Sequence, residues 1–206
     1  MTPPDHKLSE WITGLVDKSH IFDDVMTLLA SDFFIPVSIS LFLLYVWFGT
    51  RDPVLRVKNQ YGAMCASASL GIACLVLHIL NRVIHFDPWP RPFLADDPGL
   101  QENASHAAQT IFYLPHDPSF PANIAAVAFG AAAGMWLYQR KASIPIFIFA
   151  VLGCFARVYA GVHYPLDILG GAAIGVVTAL LSYWLMKTLW WAPTLCFWIA
   201  RKLYIA

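Results

Sequence analysis

The chain has 206 residues, with thirteen basic side chains balancing thirteen acidic ones; 58% of it is hydrophobic, 13% is charged, and the mean hydropathy is +0.59. An ordinary soluble domain carries about 25% charged residues, so this composition excludes a disordered chain, a basic nucleic-acid-binding surface and a soluble enzyme. The length fits a single domain over 1–206, long enough for five or six membrane-spanning helices of about 20 residues each.

The N-terminal stretch MTPPDHKLSE lacks the basic start and immediate apolar run of a signal peptide. Over residues 8–30, Leu8, Trp11, Ile12, Leu15, Val16, Val25, Leu28 and Leu29 recur at spacings of three and four, with Glu10, Asp17, Lys18, Asp23 and Asp24 between them. That pattern predicts one or two helices within 1–32, lying along a membrane surface or packed on the outer end of a bundle. A transmembrane bundle follows over 33–206. The expected spans are 33–50, which holds no charge, then 62–86, 122–138, 144–162 and 166–186. Residues 188–200, with Pro193 and Trp190, Trp191 and Trp198, form a short sixth helix or an interfacial segment. The tryptophans favour the interface. The fold class is therefore an all-α integral membrane bundle.

The loops carry the orientation. With alternating spans, Arg51, Arg56, Lys58, Arg140, Lys141, Lys187, Arg201 and Lys202 share one side with a single acid, Asp52, while most acids fall on the other. Cations stay cytoplasmic. The N-terminus, the long 87–121 loop and the 157–166 turn then face outward in a multi-pass membrane protein. Two small-residue patterns, Gly130 to Gly134 and Gly171 to Gly175, allow close helix approach; internal packing is the simpler use for them than a dimer seam. Cys65, Cys74, Cys154 and Cys196 sit in apolar runs without metal-site spacing and read as buried apolar residues.

Ionisable groups near membrane helices are costly and are usually functional. Here they gather on the outward side: Arg82, His85 and Arg91, then His116 and Asn123, then Arg157, His163 and Asp167. The sharpest pattern is Arg157-x5-His163-x3-Asp167, with Pro165 between the last two. If Pro165 opens a helix, the Asp167 carboxylate reaches one imidazole nitrogen, within about 3 Å. The other nitrogen is then left as nucleophile or base. Arg157 and Arg91 offer planar forks for an anionic oxygen. A nucleophile, an orienting group and an anion clamp are the parts that phosphoryl transfer to histidine needs.

These residues resemble the type-2 phosphatidic acid phosphatase superfamily. Arg157 to Asp167 looks like its third signature, Arg91-Pro92 like the end of its first, and Ser119-Phe120-Pro121-Ala122-Asn123-Ile124 lies where its second falls. Within the superfamily the chain looks closest to the bacterial undecaprenyl-diphosphate phosphatases of the bacitracin-resistance type. The resemblance implies His163 as the phosphoryl-accepting nucleophile, Asp167 as its orienting group, and Arg91, Arg157 and Asn123 as phosphate-binding residues, with no metal and no cofactor.

Two departures stand out. Ile84 occupies the place of the first signature's lysine, and Ile124 that of the second signature's histidine, the group that protonates the leaving group. His116 is the candidate substitute acid, with His85 a second; Arg82 is a weak replacement for the lysine, because an offset of two turns it by roughly 200° on a helix. A terminal phosphate removed from a diphosphate expels a phosphate ester rather than an alkoxide, so the loss of an acid matters less there. The expected function is thus a membrane lipid phosphatase that hydrolyses an isoprenoid (undecaprenyl-type) diphosphate at the outer leaflet through a phosphohistidine. The alternative is a catalytically impaired member that binds, senses or transports a lipid phosphate.

Overall fold

A computed structural model describes residues 4–83, 90–111, 115 and 118–203. Its elements are α1 (Pro4–Thr13), α2 (His20–Ala30), α3 (Phe34–Phe48), α4 (Pro53–Val83), a 3₁₀ turn (Pro92–Leu94), α5 (Pro98–Ile111), α6 (Asn123–Trp136), α7 (Arg140–Tyr159), α8 (Pro165–Thr188) and α9 (Trp191–Lys202). Proline opens α4, α5 and α8 at the first helical position, where its missing N–H costs nothing. Asp52 closes the start of α4 by accepting from Val54 N at 2.9 Å and Leu55 N at 3.3 Å. That cap explains why α4 begins well before the expected span at residue 62.

The centre of the bundle is α6, which packs against α4, α7 and α8. Its buried face is mostly alanine and glycine, so neighbouring backbones come close. A Cβ on Gly175 would lie 2.5 Å from the Ala126 carbonyl oxygen, and one on Gly134 would lie 2.9 Å from the Ala66 Cα. Both small-residue patterns are therefore filled by contacts within the chain.

Among the described residues three helices, α4, α7 and α8, are long and apolar enough to cross a membrane. The pair α2 and α3, bent by 66°, qualifies together as a broken span, and α6 is a shorter apolar helix of 14 residues. Side chains such as Leu41, Val151, Val177 and Leu180 are exposed on the outside of the bundle, as an apolar solvent requires. At 12 residues, α9 falls short of the roughly 20 needed to span. Its Phe197 stacks on Trp47 and contacts Tyr61, which ties it to the end where α3 finishes and α4 starts. The cations of 51–58, 140–141, 187 and 201–202 lie at that end, since α3, α6 and α8 finish there and α4 and α7 begin there.

The opposite end is closed by the N-terminal helices. α1 packs on α5, α7 and α8, and α2 on α7. Tyr159 Oη donates to Asp23 Oδ1 at 2.5 Å. Leu166 N, in the first turn of α8, donates to Asp5 Oδ1 at 3.1 Å, and burial pushes the Asp5 carboxyl above its usual range. The 87–121 region, expected as a loop, contains α5. Leu100, Ala104, Ala107, Ala108 and Ile111 form its buried face, and Asp97 Oδ1 accepts from Gly99 N at its start.

Candidate active site

At the end capped by α1 and α2 lies a cavity of about 210 Å³, lined by Asp32, Pro36, Arg91, Pro115, Asn123, Ile124, Val127, Arg157 and His163. It is small for a whole lipid and sized to a headgroup. Six segments contribute: the α2–α3 turn with the start of α3, the approach to the 3₁₀ turn, Pro115 between α5 and α6, the start of α6, the end of α7 and the α7–α8 turn.

His163 is positioned by the α7–α8 turn. Gly161 holds φ +67°, and a Cβ there would sit 2.6 Å from the Ala104 carbonyl oxygen in α5. Glycine meets neither the left-handed backbone penalty nor the clash with Ala104, and it turns the chain so that buried His163 enters the cavity wall. The ring's Nδ1 lies 3.0 Å from the Ser119 carbonyl oxygen. A carbonyl can only accept, so Nδ1 carries the proton and Nε2 keeps its lone pair.

The sequence led us to expect Asp167 as the hydrogen-bond partner of that ring. Asp167 Oδ2 is 3.7 Å from Nδ1, beyond hydrogen-bonding distance. The reason is local: His163 precedes the helix that Pro165 opens, so the two are not stacked on one helical face. Fully buried Asp167 instead turns back to accept from Tyr164 N at 2.9 Å, capping α8, and from Ser119 Oγ at 2.5 Å. Asp167 thus fixes the Ser119 segment whose carbonyl holds the ring, and its charge lies behind the imidazole. Burial lowers the His163 pKa below its ordinary value; Arg91 and Arg157 push the same way, and Asp167 opposes them.

Both arginines line the same cavity. Arg91, almost fully buried, donates through Nη1 to Val162 O at 2.8 Å and through Nη2 to Pro118 O at 3.4 Å. Those bonds lock it to the His163 turn and to the segment before Ser119. Arg157, in the last turn of α7, donates through Nη2 to Asp32 Oδ1 at 2.5 Å. Asn123 opens α6 and lines the cavity with Ile124. The alkyl side chain of Ile124 therefore forms wall at the position that the resemblance assigns to a histidine. Arg82 is exposed in the last turn of α4 and does not line the cavity. Ile84, His85 and His116 lie outside the described residues.

Two participants were not singled out from the sequence. Asp32 stands alone between two apolar helical runs, and its partner is 125 residues away, so no local spacing marks it. Ser119 falls inside the second signature, but its contribution comes through its backbone carbonyl as well as its hydroxyl. Among the described residues no group of three or more His, Cys, Asp or Glu side chains is placed to hold a metal.

A basic, histidine-bearing cavity at the end of an apolar bundle is the setting for transfer of a phosphoryl group, and residues 62–191 match the PAP2 superfamily. The chain belongs to the PAP2 superfamily. It is 29% identical over 182 residues to the undecaprenyl-diphosphatase BcrC of Bacillus subtilis, covering 87% of this chain and 82% of that protein. It is also 29% identical over 153 residues to the putative undecaprenyl-diphosphatase YbjG of Escherichia coli, covering 74% of this chain and 67% of that one. The crystal structure of Aquifex aeolicus LpxE shares its fold, with a TM-score of 0.61 at 24% identity over 86% of this chain and 93% of that one. A PAP2-type phosphatidylglycerolphosphate phosphatase from Bacillus subtilis gives a TM-score of 0.53 at 20% identity, over 89% and 86% of the two chains. This PAP2 protein is a membrane phosphatase by family and fold.

Proposed function

We propose that this PAP2 protein removes the terminal phosphate of an isoprenoid diphosphate of the undecaprenyl type, through a phosphohistidine on His163. The single observation that carries the reading is the imidazole whose Nδ1 is held by the Ser119 carbonyl while both guanidinium groups line the same cavity. That arrangement leaves Nε2 as a nucleophile of fixed tautomer beside an anion clamp. Nε2 bonds to the terminal phosphorus, the bridging P–O bond breaks, and a lipid monophosphate leaves with the electron pair. Arg91, Arg157 and Asn123 bind the phosphoryl oxygens.

Ile124 in the cavity wall supports a diphosphate over a monoester. Without an acid at that place an alkoxide is a poor leaving group, whereas a phosphate ester leaves with its charge already delocalised. The names of the BcrC and YbjG relatives point to the same substrate class. The clustering of cations at the end away from the cavity supports an active site on the periplasmic or exterior side of the inner membrane. We take the whole chain, 1–206, as one functional unit, because the N-terminal helices are bonded to the end of α7 and the first turn of α8.

The test is phosphate release from farnesyl or undecaprenyl diphosphate by detergent-purified protein. We expect release from wild type and none from His163→Ala. The same Ile124 motivates a second reading, a non-hydrolysing protein that binds a lipid phosphate. Retained headgroup binding with no release by wild type selects that reading and refutes the first.

A further inference from the structure

The diphosphate reading leaves one step to which the described residues, in the roles given so far, bring no proton carrier. A phosphate ester leaving group compensates for Ile124 when the histidine is phosphorylated. It does nothing for the second half of the reaction, when water attacks the phosphohistidine and must lose a proton as the new P–O bond forms. Among the described residues lining the cavity, the groups able to carry charge are Asp32, Arg91, Arg157 and His163. Arginine does not surrender its proton, and His163 carries the phosphoryl group at this stage. Asp32 is the remaining group.

Its placement suits the task. Asp32 sits in the α2–α3 turn and lines the cavity with its side chain 40% exposed, while the Arg157 that holds it is 8% exposed. The ion pair fixes Oδ1 on the guanidinium that also binds the phosphoryl oxygens. Because the pair is neutral as a unit, the carboxylate can stand beside a phosphoryl group without expelling it.

We infer that Asp32 is the general base of the dephosphorylation step, an inference that rests on the phosphohistidine reading above. Water between Asp32 and the phosphohistidine gives its proton to the carboxylate, and its oxygen bonds to phosphorus. The P–Nε2 bond breaks, its electron pair returns to Nε2, and inorganic phosphate departs. Asp32 then releases its proton to solvent at the mouth of the cavity.

The experiment is rapid-quench kinetics of the full chain in detergent with farnesyl diphosphate labelled in its terminal phosphate. Asp32→Asn still accepts from Arg157 but takes no proton. It is expected to release about one equivalent of farnesyl phosphate quickly, then turn over about 10²–10⁴-fold more slowly than wild type. Acid-labile, base-stable label should accumulate on the protein and disappear when His163→Ala is added. Asp32→Gly should regain turnover with added formate, which replaces a proton acceptor and not a structural ion pair. The inference is overturned if Asp32→Asn loses the burst and the turnover together with no labelled protein, since Asp32 then only positions Arg157. It is equally overturned if Asp32→Asn turns over normally without accumulating label, whether or not His116→Ala accumulates it. Absence of both turnover and label in wild type removes the phosphohistidine reading itself, a result distinct from either.

Discussion

Replacing Asp167 with asparagine tests how the His163 imidazole, the nucleophile proposed above, is held. If the carboxylate bonded the ring and set its tautomer, as the His-x3-Asp spacing invites, the change would resemble loss of the aspartate in a Ser-His-Asp triad, a fall of about 10⁴ in kcat. Here the ring's Nδ1 is satisfied by the Ser119 carbonyl at 3.0 Å, and the carboxylate stands off at 3.7 Å. Asparagine cannot change the tautomer; it removes only charge. A full positive charge on the imidazole about 4 Å from a carboxylate gains about 4 kcal/mol at an effective dielectric of about 20. A half-formed P–N bond takes roughly half of that, about 2 kcal/mol, which is about 30-fold in rate. The assay is kcat for phosphate release from farnesyl diphosphate, with thermal unfolding measured alongside. Among the described residues Asp167 Oδ1 has no hydrogen-bond partner, so the new amide nitrogen is left unsatisfied in the interior at about 1–3 kcal/mol of stability. A fall near 10⁴ would show that the carboxylate governs the tautomer after all, and a change below about threefold would show that its charge does not reach the ring; either result refutes the reasoning.

Ile124→His should restore an acid at the leaving group and raise phosphatidic acid hydrolysis relative to farnesyl diphosphate hydrolysis by about 10²–10⁴-fold; an unchanged ratio counts against the account of Ile124. Gly161→Ala forces a Cβ to 2.6 Å from the Ala104 carbonyl at φ +67°, so a loss above the roughly 1–2 kcal/mol of the left-handed backbone alone is expected in thermal unfolding. It should come with a fall in activity, because His163 is two residues on. The lowered His163 pKa keeps the nucleophile unprotonated below its ordinary value of about 6.5. In wild type the acid limb of kcat/KM assigned to this ring should therefore fall below that pH. The linkage has the matching sign: the unfolded chain takes up the proton first, so stability attributable to His163 is present above about pH 6.5 and declines as pH falls toward the folded value. Unfolding midpoints of wild type and His163→Gln across that range measure it, and a wild-type midpoint that rises relative to the variant on acidification contradicts it.

Much of the site was legible because it is written in side chains that have no reason to sit at a membrane helix end. Arg91, Arg157 and His163 announce themselves as charge or imidazole beside apolar runs, and all three line one cavity. The glycine patterns were legible for the same reason in reverse, since small residues repeated at four mark where backbones meet. α5 was obscured because its buried face is mainly alanine, which contrasts weakly with the Pro, Asp and Asn around it. The long reach of α4 into the cation loop was obscured because it depends on a cap, Asp52, rather than on hydropathy. Asp32 was invisible because an ion pair between distant segments leaves no mark in either. The i, i+4 spacing of His163 and Asp167 misled in detail. It assumes a helix through both residues, and the helix starts between them.

The contact that steadies the imidazole comes from a main-chain oxygen. Every amino acid brings that atom, so what the position owes the ring is the path of its segment, which the Ser119 hydroxyl holds through Asp167. Catalytic competence in such proteins is then partly recorded as loop shape, and a signature scored letter by letter will pass over members that retain it.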